Sequence, residues 1–426
     1  MFTPTPTSPY RQALEGSLVL KSVADEPDVA RLAAFNGLIF DQGVAEMTRE
    51  LILNHPNTRP EHWLFVEDEA DGQVVSSLCL IPWTWRYQDI EIKAGEMGIV
   101  GTLETYRRRG LIRAMAGRHK ELLREGGYDL SHIQGIPYFY RQFGYEYAMP
   151  LEGGWHVELH QIPDLPEGQV APCVFRLATD QDVPVLLRLY DQAARDLDIH
   201  AARSEAEWHY LFGPSTKTEM DAQTWLMVDD RDQAMGYIRV PKEGFGQGLI
   251  VGEVSRLSFE LALAALRFLK KLSIERSKPY VRLNVPESCA LIQVAHTLGA
   301  RDAGRYAWQI HLVDVARLLR KLGPVFERRL AASPLAGLSR TICLNLYREA
   351  FDLHFDHGTL LAVDPVGFRD GGTIRMPPLL LAPLLLGYKS RQELAQAYPD
   401  FGAGGEGQLL ADILFPKLES FIYTVY

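Results

Sequence analysis

The chain has 426 residues, 47% of them hydrophobic and 23% charged, and a formal net charge of −10. Those proportions describe a folded globular protein, and the length suggests about three domains. The acidic balance disfavours nucleic acid as a partner and is compatible with a cationic one. No apolar run approaches the roughly 20 residues needed to cross a bilayer, so no membrane partner is expected. The longest, residues 376–388, is interrupted by Pro378 and Pro383. The N-terminus, MFTPTPTSPYRQ, has no basic region leading into an apolar core, and a cytoplasmic location is expected. Cys79, Cys173, Cys289 and Cys343 are far apart and form no CxxC pair, and the 12 histidines show no HExxH spacing, so no metal is expected.

From His62 the pattern predicts an antiparallel meander: strands over 62–67 and 73–87, a short one over 88–95, and another over 96–103. A helix follows over 109–125, stopped by Gly126 and Gly127. Next come a strand at 128–135, a short helix at 137–144 and a final strand pair to about residue 159. The same order returns after a Pro-rich linker at 162–172. Strands are predicted over 224–230, 233–242 and 248–257, a helix over 259–277, a strand over 279–286, a helix over 287–300 and a strand over 304–313. This is a duplication of fold with little residue identity. From about Asp314 the composition changes to a mixed α+β pattern. It has one helix over 315–331, three strands between 340 and 365, and a Leu-rich helix apolar on nearly every side, which implies burial.

The residues with the clearest chemistry sit where the first meander turns into its helix. Arg107, Arg108 and Arg109 stand there, followed by Gly110. Cations oppose the partial positive charge of a helix N-terminus, so an anion is needed to repay the cost. Free N–H groups at such a terminus accept a phosphate, arginines add charge-assisted bonds, and glycine lets the ligand approach the backbone. The alternative is a basic, solvated helix start. Strand, YRRRGL, helix, strand and then YFYRQFGYEYA resembles the GCN5-related N-acetyltransferases, whose pyrophosphate signature is matched by Arg107-x-x-Gly110-x-Ile112 up to its last position, normally Gly or Ala. RRRG followed by an aliphatic pair resembles one branch in particular, the enhanced intracellular survival (Eis-like) acetyltransferases. The second copy reads RLSFELALA at the same place, so one copy is expected to bind coenzyme A and the other not.

The resemblance implies an α+β chain of two fused acetyltransferase folds, catalytic over 1–160 and degenerate over 161–313, with a sterol-carrier-protein-like domain over 314–426. It implies acetyl-CoA as cosubstrate, held by Val100, Gly101, Thr102, by Arg108, Arg109, Gly110, Leu111, Ile112 and Arg113, and by Gly135 and Ile136. It places a general acid at Tyr140, four residues before Gly144. A phenol with a pKa of about 10 can protonate a thiolate whose thiol has a pKa of about 8.5. The other reading of Tyr138, Phe139, Tyr140, Tyr145 and Tyr147 is an aromatic core. The second copy has Ala295 at the matching place. The base implied is a terminal carboxylate carried by Tyr426, and FIYTVY is apolar enough to favour docking over fraying. Phe35, Phe40, Asp41 and Glu419 are candidates for an acceptor pocket. The acceptor implied is a small-molecule primary amine of aminoglycoside or polyamine type, and the assembly a homotrimer or hexamer. A protein-lysine acetyltransferase and a non-catalytic acyl-CoA or lipid carrier are the competing readings.

Overall fold

The computed structural model describes residues 9–151, 154–304 and 306–426. The first eight residues of the N-terminus read above lie outside them.

The first half runs β1 (Arg11–Ala13), β2 (Leu18–Ser22), α1 (Glu26–Ile39), α2 (Gln42–Asn54), β3 (Trp63–Asp68), β4 (Gln73–Tyr87), β5 (Ile90–Thr102), α3 (Leu111–Glu125), β6 (Leu130–Ile133) and β7 (Glu146–Pro150). Asp25 and Asp41 cap α1 and α2, their carboxylates accepting from the N–H groups of Asp28 at 2.9 Å and Val44 at 3.0 Å. The two short strands expected over 88–103 are one strand, β5. It pairs with β4 without a break at their expected junction, Gly95 facing Pro82 and Glu96 facing Ile81.

The second half runs β8 (Trp155–Glu158), β9 (Val174–Leu177), α4 (Val183–Ala194), β10 (Ile199–Ala201), α5 (Glu205–Phe212), β11 (Ala222–Val228), β12 (Ala234–Pro241), β13 (Leu249–Val251), β14 (Glu253–Val254), α6 (Phe259–Glu275), β15 (Tyr280–Leu283), α7 (Ala290–Thr297), β16 (Arg301–Asp302) and β17 (Ala307–Leu312). The halves exchange strands. The first sheet is ordered β1-β2-β3-β4-β5-β6-β17-β7, with β10 also pairing β4. β7 and β8, expected as a strand pair, are apart: β17 lies beside β7, while β8 pairs with β15 and β16. β17, buried continuously over Ala307–Ile310, suits either sheet, and long-range pairing decides which. β8 therefore precedes residue 160 in sequence yet belongs to a sheet of the second half, ordered β13-β15-β8-β16.

The C-terminal part comprises α8 (Val315–Lys321), α9 (Gly323–Ala331), β18 (Arg340–Asn345), β19 (Ala350–Asp356), β20 (Thr359–Gly367), β21 (Ile374–Arg375), α10 (Leu381–Leu385), α11 (Arg391–Ala397), β22 (Gly402–Ala403) and α12 (Glu406–Leu414). The single helix expected over 315–331 is two, because Pro324 has no N–H to continue the ladder. The Leu-rich segment is shorter than expected, and every residue of α10 is buried. Its Leu385 carbonyl accepts from the Tyr87 hydroxyl at 2.9 Å, tying it to the first sheet. Among the described residues no helix is long and apolar enough to cross a membrane.

Two cores meet on the first sheet. Leu78, Leu80 and Met97 face α3 and pack with Leu111, Met115, Ile133 and Tyr140. Cys79, Ile81, Trp83 and Trp85 face the other way, toward α1, α2 and the C-terminal helices.

Candidate active site

The sheet opens where the site residues gather. β5 meets β6 in parallel only over Ala94–Leu130, Gly95–Ser131 and Glu96–His132. Beyond Glu96 it runs on to Thr102 without a strand on that side. On the β4 side the pairing jumps from Cys79–Gly98 to Ser77–Gly101, leaving Ile99, at φ 47°, and Val100 opposite Leu78. This bulge is held by hydroxyls: Ser77 Oγ donates to the Ile99 carbonyl at 3.0 Å and Ser76 Oγ to that of Gly101 at 2.8 Å. Val100, Gly101 and Thr102 thus present an edge that an extended ligand can pair with as a strand would.

The arginines stand next to that edge. Gly110, at φ 76°, occupies the N-cap position of α3 and no side chain caps the helix, so first-turn N–H groups lack a side-chain acceptor. A Cβ built on Gly110 would meet nothing within 4 Å, so the approach is open. Arg107, Arg108, Arg109 and Arg113 are exposed. Arg109 stacks on the Tyr106 ring at 4.7 Å, and Arg108 has a left-handed backbone at φ 65°. Leu111 is buried and Ile112 partly so, both in the core that holds Tyr140.

Past β6, a Cβ on Gly135 would lie 2.3 Å from the Tyr140 ring, so only glycine lets that ring close on the strand end. The Gly135 carbonyl accepts from Gln309 Nε2 at 3.0 Å and from the Tyr306 hydroxyl, and that of Ile136 accepts from Gln309 at 3.3 Å. Both carbonyls are therefore engaged by the exchanged segment, while the Ile136 side chain is exposed. Tyr140 lies in the 3₁₀ turn Phe139–Phe143. It is buried against Phe139, Phe143 and Tyr145, as the aromatic-core reading of the cluster expects. Burial pushes its phenol up to about 12, so it stays protonated at neutral pH, as a proton donor must.

Tyr426 reaches the opposite face of the same sheet. Its hydroxyl donates to Glu96 Oε1 at 3.0 Å, and Trp83 Nε1 donates to Glu96 Oε2 at 3.1 Å. Burial raises the Glu96 carboxyl to about 8, the two hydrogen bonds opposing the rise. His132 Nε2 stands 3.9 Å from Glu96 Oε2. Burial drives His132 well below its ordinary value, so its imidazole is neutral near neutral pH. Trp83, Trp85 and Trp308 surround His132 at ring distances of 5.0, 4.7 and 4.9 Å.

Glu96 was not among the residues expected from sequence. The available signal is a carboxylate at the head of the apolar stretch 96–103, past the exposed Glu91 and Lys93 of the same strand. Glu219 is a second addition: it lies against the α1–α2 junction beside Asp41, and burial and that neighbour both raise its carboxyl. Its charge also reaches Tyr426. Of the acceptor-pocket candidates, Asp41 thus stands beside Glu219, whose charge reaches Tyr426. Phe35 is core, Phe40 is half exposed, and Glu419 is exposed with its backbone tied to Asp198. A concavity of about 970 Å³ near the other end of α3, lined by Tyr10, His62, Lys93 and Tyr128, includes none of these residues.

Among the described residues no group of three or more His, Cys, Asp or Glu side chains could hold a metal ion. Residues 44–148 match the acetyltransferase (GNAT) domain family. No curated protein matches the chain. Solved structures similar over nearly the whole length include a GCN5-related N-acetyltransferase from Anabaena variabilis (18% identity, 95% of this chain and 99% of that one, TM-score 0.68). Another is a conserved Enterococcus faecalis protein of unknown function, a probable N-acyltransferase (15%, 96% and 100%, TM-score 0.72). Eis1 from Mycobacterium abscessus is a third (16%, 96% and 100%, TM-score 0.62). These identities establish likeness of fold. The family match takes in β5, its open edge and α3, so residues 44–148 are similar to a GNAT acetyltransferase domain within a chain whose fold is shared over nearly its whole length.

Proposed function

We propose that the first half transfers an acetyl group from acetyl-CoA to a primary amine of a cationic small molecule, within an Eis-like arrangement of two acetyltransferase folds and a sterol-carrier-like C-terminal domain. One observation carries the reading: β5 parts from β6 beside an uncapped helix start flanked by exposed arginines. Val100, Gly101 and Thr102 hold the extended arm of the coenzyme. The α3 amides with Arg108, Arg109 and Arg113 hold its phosphates, and Gly135 and Ile136 border the gap. When bound, the thioester supplies the acetyl group. Tyr140 approaches the gap from the α3 face and gives a proton to the departing sulfur. On the other face Glu96, with the Tyr426 hydroxyl donating to it, takes the proton of the amine, while the main-chain oxygen of Tyr426, the base implied by the resemblance, accepts from Thr424 Oγ1 at 2.9 Å. Glu96, raised to about 8, is better matched to that task at neutral pH than an ordinary carboxylate. Glu219, which reaches Tyr426, and Asp41 beside it favour a cationic acceptor.

The test is Tyr140→Phe, with coenzyme binding followed by calorimetry and turnover by thiol release. Turnover should fall by roughly 10²–10⁴ with binding largely kept. Full turnover would reduce Tyr140 to core.

A further inference from the structure

The second half has lost the features that make the first an anion site. At the matching helix, α6, Ser258 Oγ accepts from the Leu261 N–H at 3.2 Å, so the helix satisfies itself. It keeps instead a buried charge cluster that the proposed chemistry does not use. The Arg203 side chain has no exposed surface. Its Nη1 and Nη2 donate to the two oxygens of Glu253, each at 2.8 Å, and its guanidinium lies 4.4 Å from the ring centres of both Tyr190 and Trp208. Tyr237 donates its hydroxyl to Glu253 at 2.5 Å. Arg239 faces Glu253 across the β12–β14 pair, 4% exposed, with Nε and Nη2 unpartnered among the described residues. Two cations share one carboxylate, and such a cluster is costly to bury unless it serves some purpose.

Its outlet is the C-terminal segment. Arg203 Nη2 also donates to the Thr424 carbonyl at 2.5 Å. Further back, the Asp198 N–H donates to the Glu419 carbonyl at 2.6 Å and the Glu419 N–H to Asp198 Oδ2 at 3.0 Å. Ser420 bridges Ile199, and the Phe421 N–H donates to the Ile199 carbonyl at 3.0 Å. Phe421 and Tyr423 pack into the core of the second half, while Ile422 and Val425 pack into the other core. The segment is thus stitched between the halves, and Arg203 grips it two residues before Tyr426.

We propose that the degenerate half is the anchor of the C-terminal segment and that Arg203 is the positioning residue that sets Tyr426 against Glu96. This rests on the assignment of Tyr426 and Glu96 to the site. Arg203→Lys keeps the charge and loses the two-armed grip. Hydrogen exchange at the amides of residues 419–426 should accelerate, acetyl-CoA affinity should stay within about twofold, and kcat with spermidine as the probe amine should fall by roughly tenfold or more. In a Tyr426→Phe background the same change should add little, because both act through one contact. Asp198→Ala, which loosens the surface end of the anchor and leaves the buried cluster whole, should give the same pattern at smaller size and serves if Arg203→Lys does not fold. Unchanged amide protection, or kcat losses that multiply in the double variant, would overturn the proposal. A silent Tyr426→Phe together with freed amides would keep the anchor and overturn the assignment of Tyr426 and Glu96.

Discussion

Replacing Tyr426 by phenylalanine removes one atom that matters, the hydroxyl that donates to Glu96 Oε1 at 3.0 Å. That bond favours the ionised carboxylate and so holds the Glu96 pKa down against burial. A hydrogen bond to a charged group contributes about 1.5–3 kcal/mol, which corresponds to roughly 1–2 pK units. Trp83 still donates to the other oxygen, so the site is not emptied. Starting from about 8, the carboxyl of the variant should titrate at about 9–10. A base works in its ionised form, so activity rises with pH through this value and the limb moves to higher pH in the variant. At about pH 7.5 the ionised fraction drops from about a quarter to between about 3% and 0.3%, and kcat/KM should fall by roughly 10- to 80-fold. Above about pH 9.5 much of that loss should be recovered. The assay is the pH dependence of kcat/KM with acetyl-CoA and an amine. A loss that is equal at every pH would refute Glu96 as the base. An unshifted profile with full activity would point to the main-chain carboxylate expected at residue 426 rather than to the phenol.

Arg108→Ala and Arg109→Ala should each weaken acetyl-CoA binding by roughly 10- to 150-fold if each donates a charged hydrogen bond to phosphate, as calorimetry would read. Unchanged affinity returns the loop to a solvated helix start. Gly135→Ala places a Cβ 2.3 Å from the Tyr140 ring, so it should lower kcat more than it weakens coenzyme binding; equal activity would show that the ring can yield without cost. His119 is fully buried with both ring nitrogens unpartnered among the described residues, and burial pushes it down to about 3. Below its ordinary value near 6.5 the unfolded chain takes a proton that the folded chain refuses. Stability is therefore lost as pH falls, on the order of 2 kcal/mol by pH 5. His119→Leu should flatten the fall in thermal midpoint between about pH 7.5 and pH 5, and an unchanged slope would assign acid sensitivity to other groups such as His62 and His311.

What the sequence made legible was local. The strand, the arginines, Gly110 and the helix after them are contiguous, and periodicity with glycine punctuation is enough to place them. Tyr140 is singled out by the family resemblance, which puts it four residues before Gly144, and both lie at one short turn. The exchange of β8 and β17 was hidden because a buried strand carries no mark of which sheet it will join. Glu96 was hidden for a related reason. Its perturbation comes from Trp83, 13 residues away, and Tyr426, 330 residues away, which meet it only in the folded chain. Arg203 and Glu253 are 50 residues apart and read as ordinary surface charges until packing buries both.

On the proposed reading the first half moves an acetyl group from acetyl-CoA to an amine. The most direct measurement is thiol release from acetyl-CoA in the presence of spermidine or an aminoglycoside, with the acetylated amine identified by mass. Amine-dependent thiol release, matched by one acetylated product per thiol, is the expected result. Tight acetyl-CoA binding with no amine-dependent release across a panel of cationic amines would contradict it and favour an acyl-CoA carrier.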